Sequence, residues 1–572
     1  MMYHTSPISG IATNNTYVAT AGYDNKVILW DAQTHLPLSV SYHDHLANQV
    51  TFSPDGRFVA SSSSDYSLRI WSVPDLQLHA VMRHDDDVEG ISFHPNQPWV
   101  ATASRDRHVR VFDLQGKLLV KLSGHDADVI SVEWKDDDIL ISSGDDGTIR
   151  YWSFEKQKQI TIIDMAGVET DTLCLTKEGL LVSGDDEGCI TIFDAQGRKI
   201  SHVEAHQSGV KRLIVKNNTV ISLSYDRYFK IWNLSREGLN LVHQDKILPQ
   251  VWPRSSDIIN DRYLVFVTFG DRYAIYDLQQ RLWLENEIKD TYGINAVCAN
   301  GNDILFTGDA GKLIRNGTTI NQLPSLCNFI IQIKGVVLQG GQDGAVYNGE
   351  TGQVVYQHHS PLNCQTVLQH TEGTFVLVGA YTGEVILLRV EEGGHVQWVQ
   401  NIQTHKNAIK GMAINGTILF TACADHSVSA HDLTDFTQPT LCYTGTHDMI
   451  VNGCVALEEG FASISRDKTL RLWSTTGEQQ VIISPHQNSI KCINYAPGQN
   501  LIMSGDYRGA VAIYDLTQQR WTMVKKISTA GISCITFDIT NNRFIASSYL
   551  GELHLIPTDM FSVQLAKDTA YA

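Results

Sequence analysis

Apolar and polar positions along this 572-residue chain fall into short runs of strand length. The stretches VATAGYD-NKVILWD (18–31), FVASSSSD-YSLRIWS (58–72) and FASISRD-KTLRLWS (461–474) are typical. Val, Ile and aromatic residues dominate them, and Gly, Asp and Asn punctuate them. No long segment carries a helical period, so the pattern predicts an all-β protein.

The runs recur about every 40 residues, the mark of a repeat architecture. Within a copy the offsets are fixed. His43 precedes Phe52 by nine positions, and His84, His125, His206, His447 and His486 stand in the same relation to Phe93, Trp134, Val215, Ala456 and Tyr495. An Asp precedes an aromatic residue by six positions in Asp65 and Trp71, Asp106 and Phe112, Asp146 and Trp152, Asp226 and Trp232, and Asp467 and Trp473. One such unit makes a small twisted sheet that cannot bury both faces alone. Radial packing of several sheets buries them and leaves only short edges.

Gly124-His125, Trp30-Asp31 and SRDKTLRLW (465–473) resemble the WD40 repeat family, and FD at 112–113 and 193–194 and YD at 276–277 and 514–515 are common variants of its dipeptide. The resemblance covers essentially the whole chain. The aromatic position is filled by Trp30, Trp71, Phe112, Trp152, Phe193, Trp232 and Tyr276, then by Leu388, His431, Trp473, Tyr514 and Ile556. The interval from 276 to 388 leaves room for two more. Fourteen blades exceed one ring, so the resemblance implies two tandem seven-bladed β-propellers, residues 1–287 and 288–572, the second with degenerate first and second blades. A division into six and eight stays open, as does the way each ring closes. In the degenerate stretch, Asn316-Gly317 and Asn348-Gly349 read as two-residue hairpin turns.

Several copies hold Ser, His and Asp together: His43, Ser63, Asp65 and Trp71; His206, Ser224, Asp226 and Trp232; His447, Ser465, Asp467 and Trp473. In the family such sets form a structural hydrogen-bond chain within a blade, and imidazole, carboxylate and indole suit that role. A catalytic serine needs one exposed place beside an oxyanion hole, which recurrence contradicts. Other copies read as incomplete: Gly22 stands for Ser in blade 1, Glu187 for Asp in blade 5, Arg508 for Asp in blade 13 and His431 for Trp in blade 11.

Composition narrows the function. Hydrophobic residues make up 43% and charged residues 19%, a globular profile. No apolar run is long enough to span a bilayer and no secretory signal opens the chain, so a cytoplasmic location is expected, or a nuclear one in a eukaryote. The ten cysteines lack CxxC pairing and mostly lie in apolar runs, as buried reduced thiols do. No phosphate-binding loop, HExxH or zinc-finger spacing is present, so no cofactor, metal or catalytic residue is indicated. A net charge of −18 argues against a nucleic-acid partner.

The resemblance places the His loops and Asp turns on one face of each ring, where partners dock. Residues 1–200 hold 29 acidic and 16 basic side chains, a balance of −13. Asp44, Asp85, Asp86, Asp87, Asp126, Asp128, Asp145, Asp185 and Asp186 are therefore candidate contacts for a basic partner on the first ring. Arg466, Tyr507, Arg508 and Tyr549 are candidates on the second. The expected function is a non-catalytic scaffold for other proteins. The alternatives are a reader of basic or modified peptides through the acidic face, and an actin-filament regulator of the tandem-propeller type, which rests on architecture alone.

Overall fold

The computed structural model describes residues 2–235, 238–284 and 287–558. Among the described residues it holds strands and turns and no helix. The strands form fourteen antiparallel sheets, thirteen of four strands and the last of three, each built from strands consecutive in the chain. The first sheet runs Ile8–Thr13, Tyr17–Gly22, Lys26–Asp31 and Pro37–Tyr42, and the others repeat this plan. The chain divides into two compact units, Met1–Thr291 and Tyr292–Ala572, with seven sheets in each. These sheets are propeller blades.

Burial follows strand position. The second strand of a blade is covered on both faces, so it reads as a nearly unbroken apolar or small-residue run, as in Phe58–Ser63 and Leu419 to Cys423. The fourth strand is exposed along one face, as in Pro37–Tyr42 and Lys158–Asp164. In blades 8 and 9 the aromatic position is taken by Ile314 and Tyr347, each just after a break in register with the outer strand. Asn316 and Gly317 both have positive φ and link Arg315 to Thr318 as a two-residue turn. The second Asn-Gly does not make the predicted turn. Asn348 pairs across a longer loop with Gln353, and Gly352 rather than Gly349 takes the left-handed conformation.

Two features recur in all fourteen blades. The residue after the second strand donates its N–H to the carbonyl just before the first strand, from Tyr23 to Pro7 through Tyr549 to Gly531. The first strand also carries a β-bulge at its second residue, which frees that residue from the ladder and re-aims its side chain.

No strand is shared between the first and seventh blades of the first unit. Side chains join them instead: Ser255 Oγ accepts from Ile11 N at 3.2 Å, Asp257 from Thr13 N at 2.8 Å, and His35 Nδ1 lies 2.8 Å from Tyr273 Oη. In the second unit, Ser533 Oγ of the last blade donates to the carbonyl of Ile294 in the first. All ten cysteines are unpaired, and Cys442 is exposed.

Candidate functional site

The Ser–His–Asp sets resolve into closed chains of hydrogen bonds. In blade 2, Trp71 Nε1 donates to Ser61 Oγ at 2.8 Å, Ser61 lies 2.7 Å from His43 Nε2, and His43 Nδ1 lies 3.0 Å from Asp65. The carboxylate only accepts and the indole only donates, which sets Nδ1–H to carboxylate and indole to hydroxyl and leaves the hydroxyl proton for Nε2. The imidazole is then neutral, in keeping with burial that lowers its pKa. Burial opposes ionisation of Asp65, yet the hydrogen bonds it accepts from His43, Ser67 and the N–H of Asp44 hold the carboxyl far below the usual range.

The serine is therefore Ser61, and the expectation of Ser63 is corrected. The same correction moves Ser224 to Ser222 and Ser465 to Ser463. Residues two apart on a strand share a face, so alternation cannot separate them, and only the reach of the indole decides. Ser63, Ser224 and Ser465 instead accept the N–H of the following Asp and donate to a carbonyl of the preceding loop.

Two sets read as broken are intact in substance. Blade 1 uses Thr20, bonded to His4 and Trp30, with Asp24 on His4. Blade 13 bonds His486 to Ser504 and to Asp506, two residues before Arg508. Blade 4 completes its set with Ser142. The signal for all of these is a Ser or Thr four positions before the Asp slot and ten before the aromatic.

Two groups bring three metal-ligating side chains close together: His358, His359 and Glu384, and His405, Cys423 and Asp425. His358 is already bonded through both nitrogens, Nε2 to Glu384 at 2.9 Å and Nδ1 to the N–H of Ser360 at 3.1 Å. His405 Nε2 is bonded to Thr421 at 2.8 Å, and Nδ1 to Ser427 at 3.0 Å.

The acidic candidates separate into a rim and an interior. Asp44, Asp85 and Asp126 follow the His, and each gives its N–H to the Asp of its own blade, which turns its carboxylate outward. Two of them are partly neutralised, Asp44 by Arg69 at 2.6 Å and Asp85 by Arg110 at 2.9 Å. Asp448 in blade 12 has the same place and exposure, a position the acidity of the first 200 residues did not point to. Asp86, Asp87 and Asp185 are buried, which corrects their assignment as contacts. Asp86 accepts the N–H of Asp87, Asp87 the hydroxyl of Ser64, and Asp185 the N–H of Cys189.

Asp128, Asp145 and Asp186 belong to a charged network inside the first unit. Arg105 bonds Glu89 at 2.7 Å and Asp128 at 3.1 Å, and Lys211 bonds both Asp171 and Asp186. The bulge of blade 7 is enlarged to Trp252, Pro253, Arg254 and Ser255, and it sends Arg254 to Glu89 at 3.5 Å and to Tyr23 Oη at 3.3 Å. Burial together with Asp145, Asp186 and Asp171 pushes Glu169 up to about 10. Burial, opposed by Lys211, leaves Asp171 at about 6, and burial raises Glu133 to about 7.

The second unit presents an open channel. A cavity of about 730 Å³ is lined by the first strands of all seven of its blades. Its bulge residues are Asn295, Asn328, Asn363, Lys410, Asn452, Lys491 and Ser533. Each Asn clasps the next blade: Asn328 to Leu362 O at 2.9 Å, Asn363 to Ile409 O at 2.8 Å, Asn452 to Ile490 O at 2.7 Å and Asn295 to Cys327 O at 3.3 Å. Arg466, Tyr507 and Tyr549 occupy the recurring slot after the second strand and are half-buried, with Tyr507 stacked on Tyr549 at 6.4 Å. Arg508 is half-buried in the next position.

Residues 2–31, 37–72, 76–113 and 116–153 each match the WD domain, G-beta repeat, which covers the first four blades. The WD repeat, SAM and U-box domain-containing protein 1 of Danio rerio is 27% identical over 128 residues, 22% of this chain and 26% of that protein. The chain thus spans about a quarter of that relative's length. Among solved structures, the RRP9 WD40 repeats and U3-55K each align at 18% identity and a TM-score of 0.43 over 50% of this chain, covering 91% and 94% of theirs. Four matched repeats make the first four blades WD40 repeats, and all fourteen blades share one plan.

Proposed function

We propose that the protein is a non-catalytic scaffold that holds other proteins on the faces of its two units. The observation that carries this reading is the closure of the Ser–His–Asp chains. The serine and histidine of these sets are buried and bonded to one another, and the same arrangement recurs in blade after blade. A reaction centre needs a singular, accessible constellation. What the surface offers is a charged rim, and Asp44, Asp85 and Asp126 on three successive blades give it a side suited to a basic peptide or protein surface.

Affinity purification of the full chain at low and moderate salt, alongside a D44N/D85N/D126N variant, tests this. A defined set of partners in stoichiometric amounts is expected, with basic members lost from the variant and at higher salt. Recovery of no stoichiometric partner counts against the scaffold. Partners that bind the variant and the parent equally count against the acidic rim as their site.

A further inference from the structure

We propose that blade 11 binds a zinc ion through His405 Nδ1, Cys423 Sγ and a carboxylate oxygen of Asp425. The inference is independent of the scaffold reading and begins from the direction of the hydrogen-bond chain. In blades 1, 2, 4, 6 and 12 an indole N–H donates to the network hydroxyl. The hydroxyl proton goes to imidazole Nε2, so Nδ1 carries the hydrogen and donates it to the Asp at 2.8–3.0 Å. In those blades Nδ1 has no lone pair to offer a cation.

Blade 11 departs from this plan at three places. His431 replaces the indole and meets Ser429 Oγ at 3.4 Å. The network hydroxyl, Thr421, can then accept Nε2–H of His405 at 2.8 Å while it donates to Ser429 Oγ at 2.8 Å. In that tautomer Nδ1 presents a lone pair. The carboxylate has also drawn away, with Asp425 Oδ2 3.9 Å from Nδ1. Cys423 stands where blades 2, 6 and 12 place Ser63, Ser224 and Ser465.

The ligand atoms of the three residues lie within 4.8 Å of one another. Tetrahedral zinc with bonds of about 2.0–2.3 Å needs its ligands about 3.3–3.6 Å apart, so a closure of about 1 Å fills three corners. Asp425 is exposed, which leaves the fourth corner open to water. A thiolate beside an imidazole favours zinc over the hard cations, and one thiolate with one carboxylate neutralises the ion. Burial, helped by Asp425 and opposed by Lys410, pushes the Cys423 thiol up. The metal must therefore displace the thiol proton, now given to the carbonyl of Asn407 at 3.2 Å, and release it to solvent. Asp425 is ready as an anion: against the pull of burial, the hydroxyl and N–H of Ser427 hold it below its ordinary value. In the group of His358, His359 and Glu384 the imidazole is committed otherwise, since His358 Nδ1 accepts the N–H of Ser360 and Nε2–H faces Glu384.

Titration of the reduced, chelator-treated full chain with zinc chloride, and in parallel with cobalt(II) chloride, tests the assignment. One zinc per chain is expected, and cobalt should show thiolate charge-transfer absorption. Because a thiol proton is lost, the zinc association constant should rise about tenfold for each unit of pH near neutrality. C423S restores the serine of the sibling blades, is expected to fold, and should bind zinc at least about tenfold more weakly. D425N, with the same expected loss, serves if it does not fold. C442S removes the exposed thiol and should bind as the parent does. No zinc binding, cobalt binding without the thiolate band, equal affinity in C423S or D425N and the parent, or a loss in C442S overturns the proposal.

Discussion

The two units share one backbone plan and use its centre in opposite ways. Both bend the first strand of every blade at the same residue and so present seven side chains inward. In the first unit those positions include Glu89, Asp171 and Lys211, and an enlarged bulge adds Arg254; ion pairs link them across blades. In the second unit amide clasps draw most of the seven back into the wall, and a cavity of about 730 Å³ remains. A recurring backbone thus fixes where a side chain is delivered, while its chemistry decides whether the centre becomes a packed electrostatic core or a chamber.

The contrast can be broken most sharply at Lys211. K211M leaves Asp171 and Asp186 buried without their cation, and breaking such a pair costs about 3–5 kcal/mol. Hydrogen exchange should rise across Val210–Lys216 and its neighbours while the second unit keeps its protection.

A second test uses pH. Glu133 and Glu169 titrate above their ordinary values in the fold, so their contribution to stability is complete at low pH and is lost as pH rises through about 7 for Glu133 and toward about 10 for Glu169. His405 and His447 in the second unit are lowered by burial, so their contribution is complete above the ordinary imidazole value and is lost as pH falls below about 6.5. Going from pH 6 to about pH 7.5, still below the ordinary thiol value of the buried cysteines, should therefore weaken the first unit selectively, as read by calorimetry or exchange. Equal weakening of both units would contradict the assignment of the raised carboxyls.

At the next scale, S61A and S463A leave an indole N–H and an imidazole nitrogen unpaired and should each cost about 1–3 kcal/mol. S63A and S465A remove two bonds to backbone groups around the turn and leave the indole and imidazole paired, so each should cost less, about 0.5–1.5 kcal/mol. Urea unfolding that ranks the four in the reverse order would refute the reassigned chains. The smallest effect is expected from K491N, which adds a clasp and should leave stability unchanged or raise it by about 0.5–1.5 kcal/mol.

The blade plan was legible because strand periodicity, the six-residue offset from Asp to aromatic, and turn residues all report on the local ladder. The network serine was not, since Ser61 and Ser63 lie on one face of one strand and composition treats them alike. Buried acids were misjudged for a related reason. Asp85, Asp86 and Asp87 are adjacent in sequence, but a turn sends the first outward and the other two inside, and charge counting sees only their sum. The Asn and Lys positions of the second channel went unnoticed because a bulge breaks the alternation that would have announced them. The Asn348-Gly349 pair shows the limit of dipeptide signals, since the neighbouring Gly352 takes the left-handed position instead.

The seam of the first unit has a mechanical consequence. Its first and seventh blades meet through side-chain bonds such as Ile11 to Ser255 and Thr13 to Asp257, with no strand woven across. Under tension on the N-terminus the load passes straight into the first blade, which can peel away without unzipping its neighbour's ladder. Each blade released adds about 40 residues of slack, roughly 140 Å of contour length at full extension. Pulled in an optical trap, the unit should give way as a staircase of similar steps and not as a single rupture.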